Sequence, residues 1–208
     1  VIYQGDVKVV DDTIHMIVMK GDIEAPEVLE FDIPIIDEDD DDTYERFNFR
    51  LLNLHPNDES FDVHISEDDE TFNEAELLSS VAPEVLTDNI KRDQGSYIFY
   101  ITAPGSDEVV YQSNTIDFFY TSQYVMVVRK NDGAGQSPYI IDQLTNSSTY
   151  THIDSDAEAQ FNVYNALITH ELQPIYTGRF DLHIGNVDNS PEVSNLDFGA
   201  SSETIPMA

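Results

Sequence analysis

The amino-acid sequence contains no cysteine and no tryptophan in its 208 residues. Without cysteine the protein has no disulfide scaffold and no thiolate for catalysis or metal binding. No stretch approaches the roughly 20 apolar residues of a membrane-spanning helix, so membrane insertion is not expected. No signal peptide is visible, and because the chain begins with Val1 and not with methionine, we expect a processed or truncated chain.

Basic residues are also scarce. Nine Lys and Arg stand against 41 Asp and Glu, which gives a formal net charge of -32. This charge excludes nucleic acid as an expected partner, because phosphate backbones bind to basic surfaces. It favours solubility, cation binding and a salty or divalent-rich setting, with a merely acidic surface as the alternative. The 11 Tyr and 11 Phe indicate a folded chain, because disordered acidic proteins are poor in aromatic residues.

Short runs of alternating apolar and polar residues predict β-strands separated by turns. Turn sequences include Lys-Gly-Asp at 20–22 and Asn-Asp-Gly at 131–133, and the single helical candidate covers 73–80. Short strands with frequent turns are typical of a sandwich or barrel, and we expect all-β, antiparallel, immunoglobulin-like sandwich modules in tandem, with about seven or eight strands per module. The predicted strands are 13–19, 46–54, 60–65, 96–102, 115–120, 123–129, 160–167 and 179–184.

Internal repeats organise the chain more clearly than any single motif. Four pairs of segments match in one consistent order, at an interval of about 110 residues in three pairs and slightly more in the fourth. An interval of this length corresponds to one domain and not to a solenoid repeat. The pairs are YQGD at 3–6 with YQSN at 111–114, MIVMKGD at 16–22 with VMVVRKND at 125–132, FRLLN at 49–53 with FNVYN at 161–165, and FDVHI at 61–65 with FDLHI at 180–184.

The order of these matches predicts three parts. Residues 1–45 correspond to the second half of a module, 46–156 form a complete module, and 157–208 correspond to the first half of another. Neither partial copy contains an equivalent of GSYIFYITAPGSDE at 95–108. A sandwich that lacks one strand exposes unpaired edges, so we expect either a longer array or a neighbouring chain to cover the gap.

The segment FRLLNLHPNDESFDVHI at 49–65 resembles the bacterial family known as domain of unknown function 4397. Members have an Arg, two aliphatic residues, Asn, a Pro-Asp loop and then Asp-Val. The segment SNLDFGASSETIPMA at 194–208 resembles the next part of the family pattern. The resemblance implies secreted or lipid-anchored bacterial surface proteins built from repeated immunoglobulin-like sandwiches, and it carries no catalytic residues. The matching residues are Arg50, Asn53, Pro56, Asp58, Asp62 and Val63.

Strand alternation within FDVHI places Phe61, Val63 and Ile65 on the buried face and Asp62 and His64 on the exposed face. The same pattern is expected for 180–184. An Asp–His pair is a possible metal or acid–base site, but a solvent-facing polar strand surface is the simpler interpretation. The chain has no HExxH spacing and no GxSxG elbow, and GAGQS at 133–137 is typical of a hairpin turn. The sequence therefore predicts that the protein is not an enzyme.

Two acidic clusters are candidate calcium sites, one at a predicted module junction and one after a predicted strand. Calcium needs about six to eight oxygen ligands, which such clusters supply. The spacing of an EF-hand loop is absent, and a solvated charge run is the alternative interpretation. No other cofactor is expected. The candidate ligands are Asp37, Asp39, Asp41, Asp42, Asp68 and Asp69.

These features predict a non-enzymatic extracellular structural or assembly protein: a filament, stalk or matrix subunit of the cell surface. Its expected partner is a second copy of itself, with residues 157–208 of one chain packing head to tail on residues 1–45 of the next. The alternative is a cell-surface adhesion module for a polysaccharide or a protein. Clustered aromatic residues in the central module favour sugar binding, whereas the absence of tryptophan weakens it.

The net charge predicts that stability depends on salt. Repulsion within a chain of charge -32 acts over the Debye length, about 10 Å at 0.1 M salt and shorter in molar salt. We expect the melting temperature to rise between dilute buffer and 1 M NaCl. A melting temperature that stays the same across this range would contradict the prediction.

Overall fold

The computed structural model describes residues 4–36, 45–57, 59–120, 122–133, 135–157, 159–172, 174–203 and 205–207. Strands account for 51% of the chain and helix for 2%, so the fold is all-β, as predicted. The chain divides into two compact units, Val1–Asp156 and Ala157–Ala208. The division falls where the sequence repeats place the second module boundary, whereas residues before 46 lie in the same unit as the central module.

The first unit contains an N-terminal hairpin followed by a sandwich of two sheets. The hairpin pairs β1 with β2, the first sheet has the order β12-β11-β10-β3-β6, and the second has the order β5-β4-β7-β8, with β9 also pairing with β7. The strands are β1 (Thr13–Asp22), β2 (Ala25–Pro34), β3 (Arg46–Asn53), β4 (Phe61–Glu67), β5 (Glu76–Val81), β6 (Ile90–Asp93), β7 (Gly95–Thr102), β8 (Val109–Gln112), β9 (Ile116–Phe118), β10 (Gln123–Lys130), β11 (Tyr139–Leu144) and β12 (Thr149–His152).

An aromatic core joins the two sheets. The rings of Phe47 and Phe118 stack with centroids 4.1 Å apart and planes 9° apart, and Tyr124 meets Phe118 edge-on. Such pairs add to the stabilisation that burial of large apolar surfaces provides. The core residues that are 3% exposed or less include Phe47, Phe49, Leu51, Phe61, Val63, Ile65, Phe99, Ile101, Ile116, Phe118, Met126, Val128 and Ile141.

One pairing departs from the antiparallel expectation, because β3 and β10 run parallel, with Leu51 opposite Met126. The strands of the second sheet lie between them in sequence. A parallel neighbour requires such a long crossover, whereas a hairpin connection would have produced an antiparallel pair. The parallel pair therefore joins the first half of the module to the second half.

The register of β4 is confirmed, because Phe61, Val63 and Ile65 face the core. The predicted exposure of Asp62 is wrong, because neighbouring groups cover this residue and leave it only 5% exposed. β4 is an inner strand, between β5 and β7, and both neighbours supply donors to the Asp62 carboxylate. Ser80 donates from β5, and the Gly105 backbone N–H donates at 2.8 Å from the turn after β7.

The helical candidate at 73–80 is also wrong. A single 3-10 turn covers Phe72–Glu74, and the following residues form β5. β5 pairs with β4, with Phe61 opposite Val81, and Val81 enters the core. Pairing with β4 and burial of one strand face have overridden the local helical tendency of this segment.

The N-terminal hairpin forms a third layer on the outer face of the first sheet. Its residues Ile14, Met16 and Ile33 pack against Val125 and Val127, on the face of β10 that points away from the sandwich core. The residues that the repeats align with these two valines are His15 and Ile17. β10 thus has apolar side chains on both faces, as a strand covered on both sides requires.

Polar contacts hold both ends of the hairpin. The Gln123 side chain donates to the Pro34 carbonyl at 2.8 Å and accepts from the Ile36 N–H at 3.3 Å. At the other end, Lys20 pairs with Glu84, which follows β5. The hairpin is therefore fastened to the central module at both ends of β1 and β2.

The hairpin does not reproduce the strand pairing of its sequence match, the β10–β11 hairpin. Ile35 N–H donates to Asp12 C=O, so by alternation the backbone groups of Met16 point towards β2. The residue aligned with Met16 is Met126. Because Leu54 N–H donates to Val128 C=O, the backbone groups of Met126 point, by the same alternation, towards β3. The edge of β1 that corresponds to the β3 side of β10 is thus occupied by β2.

The second unit contains four described strands in two pairs, β13 with β16 and β14 with β15. They are β13 (Ala159–Phe161), β14 (Arg179–Leu182), β15 (Val193–Asp197) and β16 (Ile205–Met207). Phe180 and Leu182 are half-buried and Asp181 is exposed, but Ile184 is 44% exposed, against the prediction. The strand ends at Leu182, so alternation no longer controls Ile184. In the part of the chain that the structure describes, no helix is long and apolar enough to cross a membrane.

Docking of the hairpin predicts the effect of Val127→Asp. Val127 is 6% exposed beneath the hairpin, and its burial contributes about 2 kcal/mol. A buried carboxylate there would also lack a partner. We expect faster hydrogen exchange in β1 and β2, with the sandwich core still protected. Val9→Asp, at a position 71% exposed, is the control. Unchanged exchange in Val127→Asp would contradict the docking.

Candidate assembly surface

A buried asparagine organises the first half of the central module. Asn53, at the end of β3, is fully buried. Its side-chain N–H groups donate to the carbonyls of Glu59 (2.9 Å) and Val81 (3.3 Å), and its side-chain oxygen accepts from the His55 N–H at 3.0 Å. A buried carbonyl without a donor is costly, so this one amide links the ends of β3, β4 and β5.

Asn165 makes the same set of contacts in the second unit. It is fully buried, and it donates to the carbonyls of Gly178 (3.1 Å) and Leu196 (2.7 Å). The Leu167 N–H donates to its side-chain oxygen at 3.0 Å, and Tyr176 adds a further bond at 3.2 Å. Leu167 and Gly178 occupy the positions that the sequence repeats align with His55 and Glu59, and Leu196 lies opposite Phe180 as Val81 lies opposite Phe61.

The backbone around the two asparagines also matches. Glu84 N–H donates to Asn53 C=O, and Gly199 N–H donates to Asn165 C=O, both at 2.8 Å. Both donors have positive φ, 60° for Glu84 and 76° for Gly199. Glycine adopts this conformation without cost, whereas glutamate is strained there. The correspondence therefore extends to an unusual backbone conformation.

Among the described residues of the second unit, β13 and β14 each lack, on one side, a strand partner that the corresponding strand of the central module has. β13 pairs on one side with β16, as β3 pairs with β6 in the central module, where β10 covers the other side. β14 pairs on one side with β15, as β4 pairs with β5, where β7 covers the other side. These open edges of β13 and β14 are a candidate assembly surface, because unpaired strand edges recruit further strands.

Exposed apolar residues accompany these open edges. Tyr164 is 63% exposed, Leu167 58% and Ile168 78%. The residue aligned with Tyr164 is Leu52, which is fully buried beneath the N-terminal hairpin. Apolar side chains of this kind, close to open edges, are typical of surfaces that bind another protein segment.

The calcium candidates are only partly placed by the structure. Asp37, Asp39, Asp41 and Asp42 lie outside the described residues. Asp68 and Asp69 lie in an exposed turn after β4. Among the residues that the structure describes, no three acidic or histidine side chains come together as a metal site would require. Calcium binding stays a prediction.

The Asp62 and His64 side chains have separate partners. Asp62 accepts from Ser80 and Gly105, and the Nε2 atom of His64 lies 3.3 Å from the Thr102 hydroxyl. The contacts of both residues join strands of one sheet, so the structure gives them structural roles. His64 also packs edge-on against Phe72.

His15 is the histidine most strongly surrounded by carboxylates. Its Nδ1 atom lies 2.6 Å from Asp32 and its Nε2 atom 3.3 Å from Glu30, both on β2. The hydrogen bond to Asp32, with the charge of Glu30, raises the pKa of His15 above its ordinary value. The two carboxylates thus stabilise the charged form of the His15 imidazole relative to its neutral form.

The role of Asn53 and Asn165 was not predicted from sequence. A signal was present, because both repeat segments FRLLN and FNVYN end in asparagine directly after apolar residues. Asparagine at the end of a buried strand commonly satisfies backbone groups of a following turn. The repeated asparagine was therefore a better pointer to structure than the repeated histidine.

The sequence matches no family model, and no curated protein matches it. The resemblance to the domain of unknown function 4397 family stays a prediction.

Removal of the Asn165 amide tests its structural role. Asn165→Ala leaves the carbonyls of Gly178 and Leu196 without their donor, at about 1–3 kcal/mol per buried group. We expect hydrogen exchange in β14 and β15 to accelerate, while exchange in the first unit stays unchanged. Asn162→Ala, at an exposed position of the same unit, is the matched control. Equal exchange rates in the two variants would contradict the role.

Proposed function

We propose that the protein is a non-enzymatic structural component of the cell surface, in which immunoglobulin-like sandwich modules join in series as a stalk, filament or matrix. The observation that carries the proposal is the pair of open edges on β13 and β14. In the central module the corresponding edges are covered by β10 and β7. A half-module with the same internal bonds but without those strands requires strands from elsewhere.

The repeated hydrogen bonds around Asn53 and Asn165 support the tandem-module part of the proposal. Two segments with few identical residues make the same bonds at aligned positions, including the positive-φ donor. The second unit is thus built like β3 to β6 of the central module. Its inner strand faces are suited to the remaining strands of a sandwich.

Residues 1–45 of a second copy contain the sequence match to β10 and are therefore the source of a strand for the β13 edge, whereas they contain no match to β7 for the β14 edge. In the described structure the hairpin of this segment already has partners. Its apolar face packs on the first sheet, and β2 pairs with the edge of β1 that would have to join β13. Joining by this route therefore requires the hairpin to leave the central sheet and to change its pairing. Exchange of an element between identical chains is a known low-cost route to assembly.

Charge sets the conditions for such assembly. Each chain carries a net charge of -32, so contacts between copies are opposed by repulsion that salt screens. Association is therefore expected to strengthen with ionic strength, in contrast to assemblies that are held by opposite charges. An extracellular, salt-rich setting suits this dependence.

Sedimentation velocity over a concentration series, in 0.15 M and 1 M NaCl, tests the proposal. We expect species larger than the monomer that grow with concentration and with salt. In the aligned strand β3, the N–H groups of Asn48 and Leu54 point towards β10. By alternation, the N–H group of Asn162 points out from the open edge of β13. Asn162→Pro therefore removes a backbone donor from that edge. This variant should associate less than the wild type.

Asn162→Ala is the matched control, because it changes the same exposed side chain and keeps the backbone N–H. It should associate as the wild type does. A chain that stays monomeric at every concentration and salt would contradict the proposed function. Equal association of the proline and alanine variants would show that the β13 edge is not the contact.

A further inference from the structure

A cleft of about 720 Å³ lies in the first unit, where the end of the hairpin meets the sandwich. Ile14, Ile35 and Ile36 of the hairpin segment form one wall, and the turn between β11 and β12 forms another. Its volume is typical of clefts that hold small organic ligands. The cleft is independent of the open edges of the second unit.

Three tyrosines line this cleft. Tyr120 is 75% exposed and Tyr150 is 56% exposed, whereas Tyr124 is buried at 6%. Burial, with the nearby hydroxyls of Tyr150 and Tyr120, raises the pKa of Tyr124. No described residue hydrogen bonds to the Tyr120 or Tyr150 side chain. Two exposed rings in one cleft provide flat apolar surfaces whose hydroxyls are available to a ligand.

Neutral polar groups also line the cleft. Asn146, Ser147 and Ser148 of the β11–β12 turn are exposed at the cleft. At its floor, Gln143 is 5% exposed and its side-chain oxygen lies 3.0 Å from the Nε2 atom of His152. Amides and hydroxyls of this kind both donate and accept, as sugar hydroxyls require of their partners.

Charge narrows the class of ligand. Neither Lys nor Arg is among the described residues that line the cleft, and Asp117 is its carboxylate. Burial lowers the pKa of His152, which favours the neutral form of its imidazole. With a net charge of -32 on the chain, an anionic ligand would meet repulsion and no cation.

We propose that this cleft binds a neutral oligosaccharide, with Tyr120 and Tyr150 stacking on sugar rings and Asn146 bonding to sugar hydroxyls. The flat rings, the neutral donors and acceptors, and the lack of a cationic partner fit an uncharged polyhydroxylated ligand. Cell-surface attachment to a neutral glycan is an activity beyond the proposed assembly.

The hairpin takes part in the same site. Ile14 and Ile35 line the cleft, and Gln123, another lining residue, bonds to Pro34 and Ile36. A bound sugar would contact both layers, so it should stabilise the docked hairpin in proportion to its occupancy. Slower hydrogen exchange in β1 and β2 with ligand present is therefore a second readout, separate from affinity.

Titration of the full chain with neutral hexasaccharides of β-1,4-glucan, β-1,4-xylan, α-1,4-glucan and chitin, in 0.15 M NaCl, tests the proposal. The chain has no tryptophan, so tyrosine fluorescence can be followed without a tryptophan background, alongside calorimetry. We expect at least one sugar to bind, and Tyr120→Ala and Tyr150→Ala each to weaken it at least tenfold. Tyr120→Phe and Tyr150→Phe should keep most of the affinity, because they keep the ring.

Tyr164→Ala, at a position 63% exposed in the second unit, is the matched control and should bind as the wild type does. Circular dichroism verifies that each variant is folded. No heat and no fluorescence change with any neutral sugar at millimolar concentration would overturn the proposal. So would binding that Tyr120→Ala and Tyr150→Ala leave unchanged, or a preference for anionic polygalacturonate. Self-association measured in the same samples reports separately on the assembly.

Discussion

The parallel pairing of β3 with β10 is the interaction on which the rest of the first unit depends. It joins the two halves of the module, because β3 leads the first half and β10 begins the second-half hairpin. The inner faces of the two strands supply Leu51 and Met126 to the aromatic core. Their outer faces supply Leu52 and Val127 to the platform on which the N-terminal hairpin rests. One strand pair therefore belongs to both apolar layers, and its loss would uncouple all three sheets.

The second unit shows what remains when this pairing is absent. The asparagine amide still links the strand ends, and β13 to β16 keep the partners of β3 to β6. The core, however, is thin: Phe180 and Leu182 are half-buried, and their aligned residues Phe61 and Val63 are fully buried. The hydrogen bonds of the asparagine amide are thus kept while apolar burial is reduced. This difference is the physical basis for expecting the unit to take up further strands.

Strands with a regular pattern were predictable from sequence, and features that depend on neighbouring elements were not. Strands 96–102 and 123–129 were predicted within a residue or so of their bounds, because their apolar residues are dense. The helical candidate 73–80 overlaps β5, whose two adjacent leucines do not alternate with polar residues, and pairing with β4 makes this segment a strand. The burial of Asp62 depends on donors from two neighbouring strands. Of the sites, the open edges were predictable from the missing repeat segment, whereas the tyrosine cleft arises only when the hairpin docks.

The strained backbone at Glu84 has a consequence for how one kind of module acquires different roles. Its counterpart in the second unit is Gly199, which meets the same backbone requirement without strain but has no side chain. Glu84 uses its side chain to hold Lys20 of the hairpin. At this position, therefore, the residue either avoids backbone strain, as Gly199 does, or provides a side chain that pairs with the hairpin, as Glu84 does. The same backbone position after the fifth strand thus meets a purely conformational requirement in the second unit, whereas in the first unit it also supplies an ion pair to the hairpin.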